Sequence, residues 1–382
     1  MSHDGGPLFP TKARFRKKYV RGLLIAALVF GVAARILSGE TLNFRTWICL
    51  DRQGAGIEAF RVLIPSNWDT RGGIQWVLDN PALPAVAALR IYNPQGTQEV
   101  EVFPNKMFFW SDNPTVMSLH PVGSRYFGSE VRPLMPPGDY IRTILIPAHR
   151  RDAADIRIIE QKSLPELAQL AGAAVAFQPG FSRTADGGMV KIEYDRGGRT
   201  MEEEIYAVVW SFTFPVQSLS GVYSHTNWYG DYLFSFKAEK GKLAPSAKTF
   251  ITIISSFQVN PLWWSKLTQV VEALIRMQIQ RIQYIGQLGS IFARTGSEVR
   301  ERDLDAWQER QNAYDRMATD FSRHIRGVDG YYDPFAERLV ELPGGYGRAW
   351  TNGLGDYIIS DSPSYNPNIG SNRNWREMRQ RD

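Results

Sequence analysis

The sequence predicts an α+β fold: an antiparallel-sheet α/β sandwich domain, a long helical segment standing as a rod or an αα-hairpin, and a small C-terminal β-meander. Three observations carry this expectation. Residues 55–260 hold short apolar runs punctuated by Gly, Pro, Asn and Asp. Residues 261–327 repeat apolar side chains at helical spacing, with a single proline at the first position. Residues 328–382 break into three short alternating runs separated by Pro343-Gly344 and Gly353-Leu354-Gly355. With 382 residues, 43% of them hydrophobic, the chain has enough material for two domains.

In the first region Ala59–Ile64 alternates around Arg61 and stops at Pro65, and Gln75–Leu78 reads as a second strand. Ala87–Tyr92 and Gln98–Phe103 flank Asn93-Pro94-Gln95-Gly96, which predicts a hairpin. Tyr140–Ile146 and Ile156–Ile159 read as strands, and Leu164–Ala171 as a short helix opened by Ser163 and Pro165. Val190–Tyr194 and Glu203–Phe212 surround Asp195-Arg196-Gly197-Gly198, a second hairpin signal. Tyr232–Lys237 adds a strand, and Ser246–Phe257 closes the region as an amphipathic helix.

From Pro261 to Gly327 the apolar positions Leu267, Val271, Leu274, Ile282, Ile285, Phe292, Leu304, Trp307, Tyr314, Phe321 and Ile325 keep helical spacing. Unbroken, such a helix would reach roughly 100 Å at 1.5 Å per residue. Thr295-Gly296-Ser297-Glu298 is the candidate break, because Gly closes helices and Thr with Glu three residues on suits a capping box. A break gives a hairpin; continuity leaves an apolar seam that invites a protein partner or a second copy. Gln278 and Gly289 interrupt the heptad, which disfavours a strict coiled coil.

Charge distribution matters more than its sum. Residues 1–21 carry six basic side chains against Asp4 alone, which accounts for the whole formal charge of +5. The rest of the chain is neutral and lacks the positive field that nucleic-acid binding uses, so no nucleic acid is expected. Gly22–Ala34 follows without a charge, ended by Arg35. A basic cluster before such a run reads as a leader over residues 1–38. Residues 22–37 are expected to contact the membrane as an uncleaved N-terminal anchor with the body extracytoplasmic. The alternative is cleavage near Ala34 and a secreted or periplasmic body. Cys49 is the only cysteine, so no internal disulfide forms.

The strand FRVLIPSNW near the start and the closing amphipathic segment FITIISSFQV, with antiparallel strands between, resemble the PsbP-like α/β/α sandwich family over residues 55–260. That resemblance implies binding or assembly beside a membrane and carries over no catalytic residue. The C-terminal order LPGGY, AWTN, YIISDS, Pro resembles a WW module, a peptide-binding meander.

Chemistry is sparse. His3, His120, His149, His225 and His324 stand in no metal-ligand spacing with each other or with Cys49, so neither metal nor cofactor is expected. No nucleophile elbow, P-loop or dinucleotide fingerprint is present. Glu202-Glu203-Glu204 reads as a solvated acidic edge. The candidate binding residues are His225, Trp228 and Tyr229 from the densest polar-aromatic run, and Tyr346, Trp350 and Tyr357 from the C-terminal strands. The function these features favour is a non-enzymatic, membrane-tethered extracytoplasmic interaction or scaffold protein. A peptide- or glycan-binding module using exposed aromatics is one alternative. A hydrolase built on Cys49 and His225 is the other.

Overall fold

The computed structural model describes residues 41–77, 80, 82–170, 182–218, 220–275, 292, 299–325 and 328–381. The leader and the Thr295–Glu298 break lie outside them. No described helix is long and apolar enough to cross a membrane.

In chain order the strands are β1 (Thr41–Leu50), β2 (Glu58–Pro65), β3 (Asp69–Trp76), β4 (Ala85–Tyr92), β5 (Glu99–Val102), β6 (Met107–Ser111), β7 (Arg125–Tyr126), β8 (Ser129–Val131), β9 (Ala154–Ser163) and β10 (Ser182–Arg196). They continue as β11 (Arg199–Ser218), β12 (Gly221–Glu239), β13 (Gln258–Val259), β14 (Val328–Asp333), β15 (Arg338–Pro343), β16 (Arg348–Thr351), β17 (Asp356–Ser360), β18 (Arg376–Glu377) and β19 (Arg379–Arg381). The main helices are α1 (Leu243–Ser255), α2 (Pro261–Ile275) and α3 (Glu301–Ile325).

The expected α+β sandwich with a helical rod is not the architecture: strand makes up 48% of the structure and helix 23%, which is a mostly β fold. The largest sheet runs β3-β4-β5-β12-β11-β10-β9, with β6 on the far end of β12 and β7 and β8 beyond it. Its centre is the pair of hairpins β10–β11 and β11–β12, whose strands are 15, 20 and 19 residues long. Gly197 and Gly198 turn the first with φ of 57° and 75°, values that cost a side-chain-bearing residue more. A second sheet, β13-β2-β1-β17-β16-β18, joins residues 41–65 to residues 348–360. A small third sheet is ordered β15-β14-β19.

The C-terminal meander is therefore corrected. β15 pairs with β14, whereas β16 and β17 pair with each other and β17 pairs with β1, Thr41 opposite Ser360. The apolar faces of β1 and β17 find more cover together than three short strands have alone. Tyr140–Ile146 is not a strand either. Residues Pro137–Tyr140, Ile141–Leu145 and Ile146–His149 form a continuous helical stretch under the large sheet. Its buried Tyr140, Ile141 and Leu145 pack with Trp228 and Ile205, so tertiary burial overrides the β-branched character.

The rod is replaced by two helices against the sheets. α3, the longest described, has 25 residues and spans about 38 Å. It runs back along α2: Ser265 Oγ donates to Asp303 at 2.8 Å, Arg300 pairs with Glu272 at 3.0 Å, and Trp307 Nε1 donates to the Val259 carbonyl at 2.7 Å. Trp263, Val270 and Ala313 enter the main core with Phe60, Phe250 and Phe234. Their apolar stripe faces the chain's own sheets.

Asp51, just after β1, joins three parts of this core. It accepts hydrogen bonds from Trp76 Nε1 at 3.0 Å, Trp263 Nε1 at 2.9 Å, and the Gly54 and Ala55 amides.

The acidic run on β11 also departs from expectation. Glu203 is fully buried, not solvated. Strand register sets Glu203 opposite Lys237 and Lys237 opposite Glu99, with Glu101 two residues along β5. Arg150 caps this row: its Nε donates to Glu203 at 2.6 Å and its Nη2 lies 2.9 Å from Glu101. Lys237 reaches Glu99 at 2.9 Å, and Arg90 grips the same carboxylate. Burial alone would raise the Glu203 and Glu99 pKa values, but the neighbouring cations outweigh it and hold both below the ordinary 4.5. A depressed carboxylate contributes stability that is present above its unfolded pKa and lost as pH falls through its folded one. Denaturant titrations are thus expected to hold a plateau near neutrality and lose stability below about pH 4.5. A curve flat down to pH 3 would contradict the buried row.

Candidate functional site

An apolar cavity of about 330 Å³ lies between the large sheet and the helices. That volume falls at the lower end of the range of small-molecule sites. Ala85, Ala87, Val102 and Phe234 line it from the sheet. Ile254, Phe257, Leu267 and Val271 line it from α1, the turn after it and α2. A larger groove of about 750 Å³ beside β2, β13 and β15 has a mixed lining, and some of its charged groups already pair internally, as Arg61 does with Glu58.

One end of the cavity is polar. Asp231 is buried there and accepts from Asn105 Nδ2 at 2.8 Å, from the Tyr232 amide at 2.9 Å and from Arg310 Nη2 at 2.9 Å. The Arg310 guanidinium also lies over the rings of Trp264 and Tyr232, 5.1 and 5.4 Å from their centroids. Local backbone geometry makes this arrangement. The β11–β12 register shifts between Tyr206 and Val208, and Tyr232 takes φ of 48° at the bulge. A non-glycine residue there stores about 1–3 kcal/mol, maintained only by its surroundings. The bulge keeps Asp231 and Phe234 on one face although they are three positions apart.

Burial, with the Asp231 charge second, pushes the Tyr140 and Tyr229 hydroxyls well above the ordinary tyrosine range, so both stay protonated at neutral pH. Asp231 is fully engaged as an acceptor. Among the described residues no group of three or more His, Cys, Asp and Glu is placed to hold a metal ion.

The six residues singled out from sequence do not converge on this cavity. Trp228 is fully buried on the opposite sheet face, stacked on Phe108 at 4.2 Å and donating to the Arg132 carbonyl at 2.8 Å. Trp350 is buried under Arg348 and against Tyr365. Tyr357 is buried too, its hydroxyl donating to Asp333 at 2.7 Å. Tyr346 is half-buried, and its carbonyl accepts from Tyr331. Trp228, Trp350 and Tyr357 are core side chains, because the strands that carry them are covered on both faces. His225 and Tyr229 do lie on the cavity's face of β12. His225 packs edge-on to Phe109 and Phe214, and burial lowers its pKa below 6.5, leaving it neutral at pH 7.

Cys49 and His225 are not neighbours in strand pairing: Cys49 faces Phe60 in the second sheet, His225 faces Phe214 in the first. Burial raises the Cys49 thiol to about 11, so the nucleophilic thiolate is scarce near neutrality.

Sequence reasoning missed Asn105 and Arg310, and weighed Asp231 only as an orienting group for a Cys49–His225 pair. The run Asn227-Trp228-Tyr229-Gly230-Asp231 held a signal in Gly230, where a Cβ would meet the Tyr140 ring at 2.7 Å. Arg310 comes from the segment expected to stand as a rod or an αα-hairpin.

No protein-family model matches the chain, and no curated protein matches it by sequence. The PsbP-like and WW resemblances rest on the residues quoted for them.

Proposed function

We propose that this is a non-enzymatic binding protein, tethered at a membrane with its body outside the cytoplasm, that holds the apolar part of a small molecule between its sheet and helices. The apolar cavity ending at the Asp231–Arg310 pair carries this reading. The basic and then apolar order of residues 1–37 supports the location. An interaction or scaffold role stays compatible with it. A protein partner engaging the described part of residues 261–327 would not find Trp263, Val270 or Ala313, which are taken up by the core.

Straight-chain alcohols test the proposal. Each buried methylene is worth about 0.8 kcal/mol, so affinity by calorimetry should rise roughly fourfold per carbon from hexanol until the cavity is full. Leu267→Trp, which fills the space from α2, is expected to weaken decanol binding at least about tenfold. Absence of any alcohol binding to the full chain would remove the reading.

A further inference from the structure

The cavity's sheet face continues past Tyr229 toward the β11–β12 hairpin tip. Register sets Trp210 between Ala185 and Tyr229, Phe212 between Arg183 and Asn227, and Phe214 opposite His225. Side chains two residues apart share a face, so Arg183, Trp210, Phe212, His225 and Tyr229 stand together on it. The Arg183 guanidinium lies 4.1 Å from the Trp210 ring centroid and 5.4 Å from that of Phe212.

Three buried nitrogens on this face have no hydrogen-bond partner: Arg183 Nε, Trp210 Nε1 and His225 Nε2. Trp210 is 2% exposed and His225 8% exposed. Native structures satisfy nearly all such atoms, and a group left open asks for an explanation. The contrast with Arg310 is informative. Arg310 is neutralised by Asp231, whereas among the described residues no carboxylate pairs with half-buried Arg183. A guanidinium held over two rings, with no carboxylate partner among the described residues, is preorganised for a planar or tetrahedral oxyanion.

We propose that Arg183 receives the carboxylate or phosphate of an amphipathic ligand whose apolar body runs along this face, past Tyr229, into the cavity. The proposal rests on the cavity reading above and adds the charge of the ligand. From Asn227, in the Arg183 row, to Asp231 at the cavity is four residues of strand, roughly 13 Å. An elongated molecule spans that distance more readily than a compact one.

Calorimetry on the full chain with dodecanol, dodecanoate and dodecyl phosphate separates the possibilities. At least one of the two anions is expected to bind roughly tenfold or more tightly than dodecanol. The tighter anion identifies carboxylate or phosphate as the source. Arg183→Gln should abolish that preference while keeping dodecanol affinity within about twofold, which also reports that the variant is folded. Arg183→Lys, which keeps the charge but not the planar fork, should retain only part of it. Equal affinity for all three ligands, unmoved by Arg183→Gln, overturns the role of Arg183 and leaves the cavity reading standing. No binding of any of the three overturns both.

Discussion

Arg150→Ala is expected to lower the unfolding free energy by about 3–5 kcal/mol, because it strands a fully buried carboxylate. Glu203 keeps Lys237 across the strand pair, but it loses the two-nitrogen grip of Arg150. Glu101 loses the guanidinium 2.9 Å away as well. The variant should unfold at much lower denaturant with an unchanged slope. The double variant Arg150→Met, Glu203→Leu should recover much of the loss. Replacing a buried pair with apolar side chains of similar size is often neutral. A single-variant loss below about 1 kcal/mol would mean that water reaches Glu203, contrary to its complete burial.

Asp51→Ala should cost on the order of 3 kcal/mol or more, by a different route. Its two carboxylate oxygens satisfy two indole N–H groups and two backbone amides at the junction of β1, β3 and α2. Each buried donor left open costs about 1–3 kcal/mol. Asp51→Asn keeps one acceptor oxygen and should fall between alanine and the native residue. Thermal unfolding of the three chains measures the order. Native-like stability in both variants would show that these four donors do not depend on the Asp51 carboxylate.

Legibility in the sequence followed the range of the interaction involved. The Asn93–Gly96 and Asp195–Gly198 turns were readable because they need only a few residues of the right dihedral preference. The alternation of Glu203–Phe212 showed two faces, but not that both would be covered. Glu203 was therefore read as solvated, when Arg150 and Lys237 reach it from two other segments. The same blindness hid the site: Asp231, Asn105 and Arg310 lie far apart in the chain and share no motif. Tyr140–Ile146 shows the converse, a local β preference overruled by Trp228 and Phe108 packing on Tyr140.

By itself the sequence determined the turn positions, strand cores at Val190–Tyr194, Glu203–Phe212 and Tyr232–Lys237, a helix read as Ser246–Phe257 that the structure sets at Leu243–Ser255, and the concentration of net charge in residues 1–21. Each depends on neighbours along the chain. Only the tertiary structure decided that β1 would pair with β17 across some three hundred residues, that α2 and α3 would cover a sheet instead of standing free, and that one arginine on the sheet face would find no carboxylate among the described residues. Burial and pairing are properties of the whole folded surface, set by which distant segments exclude water together, and no local pattern encodes them.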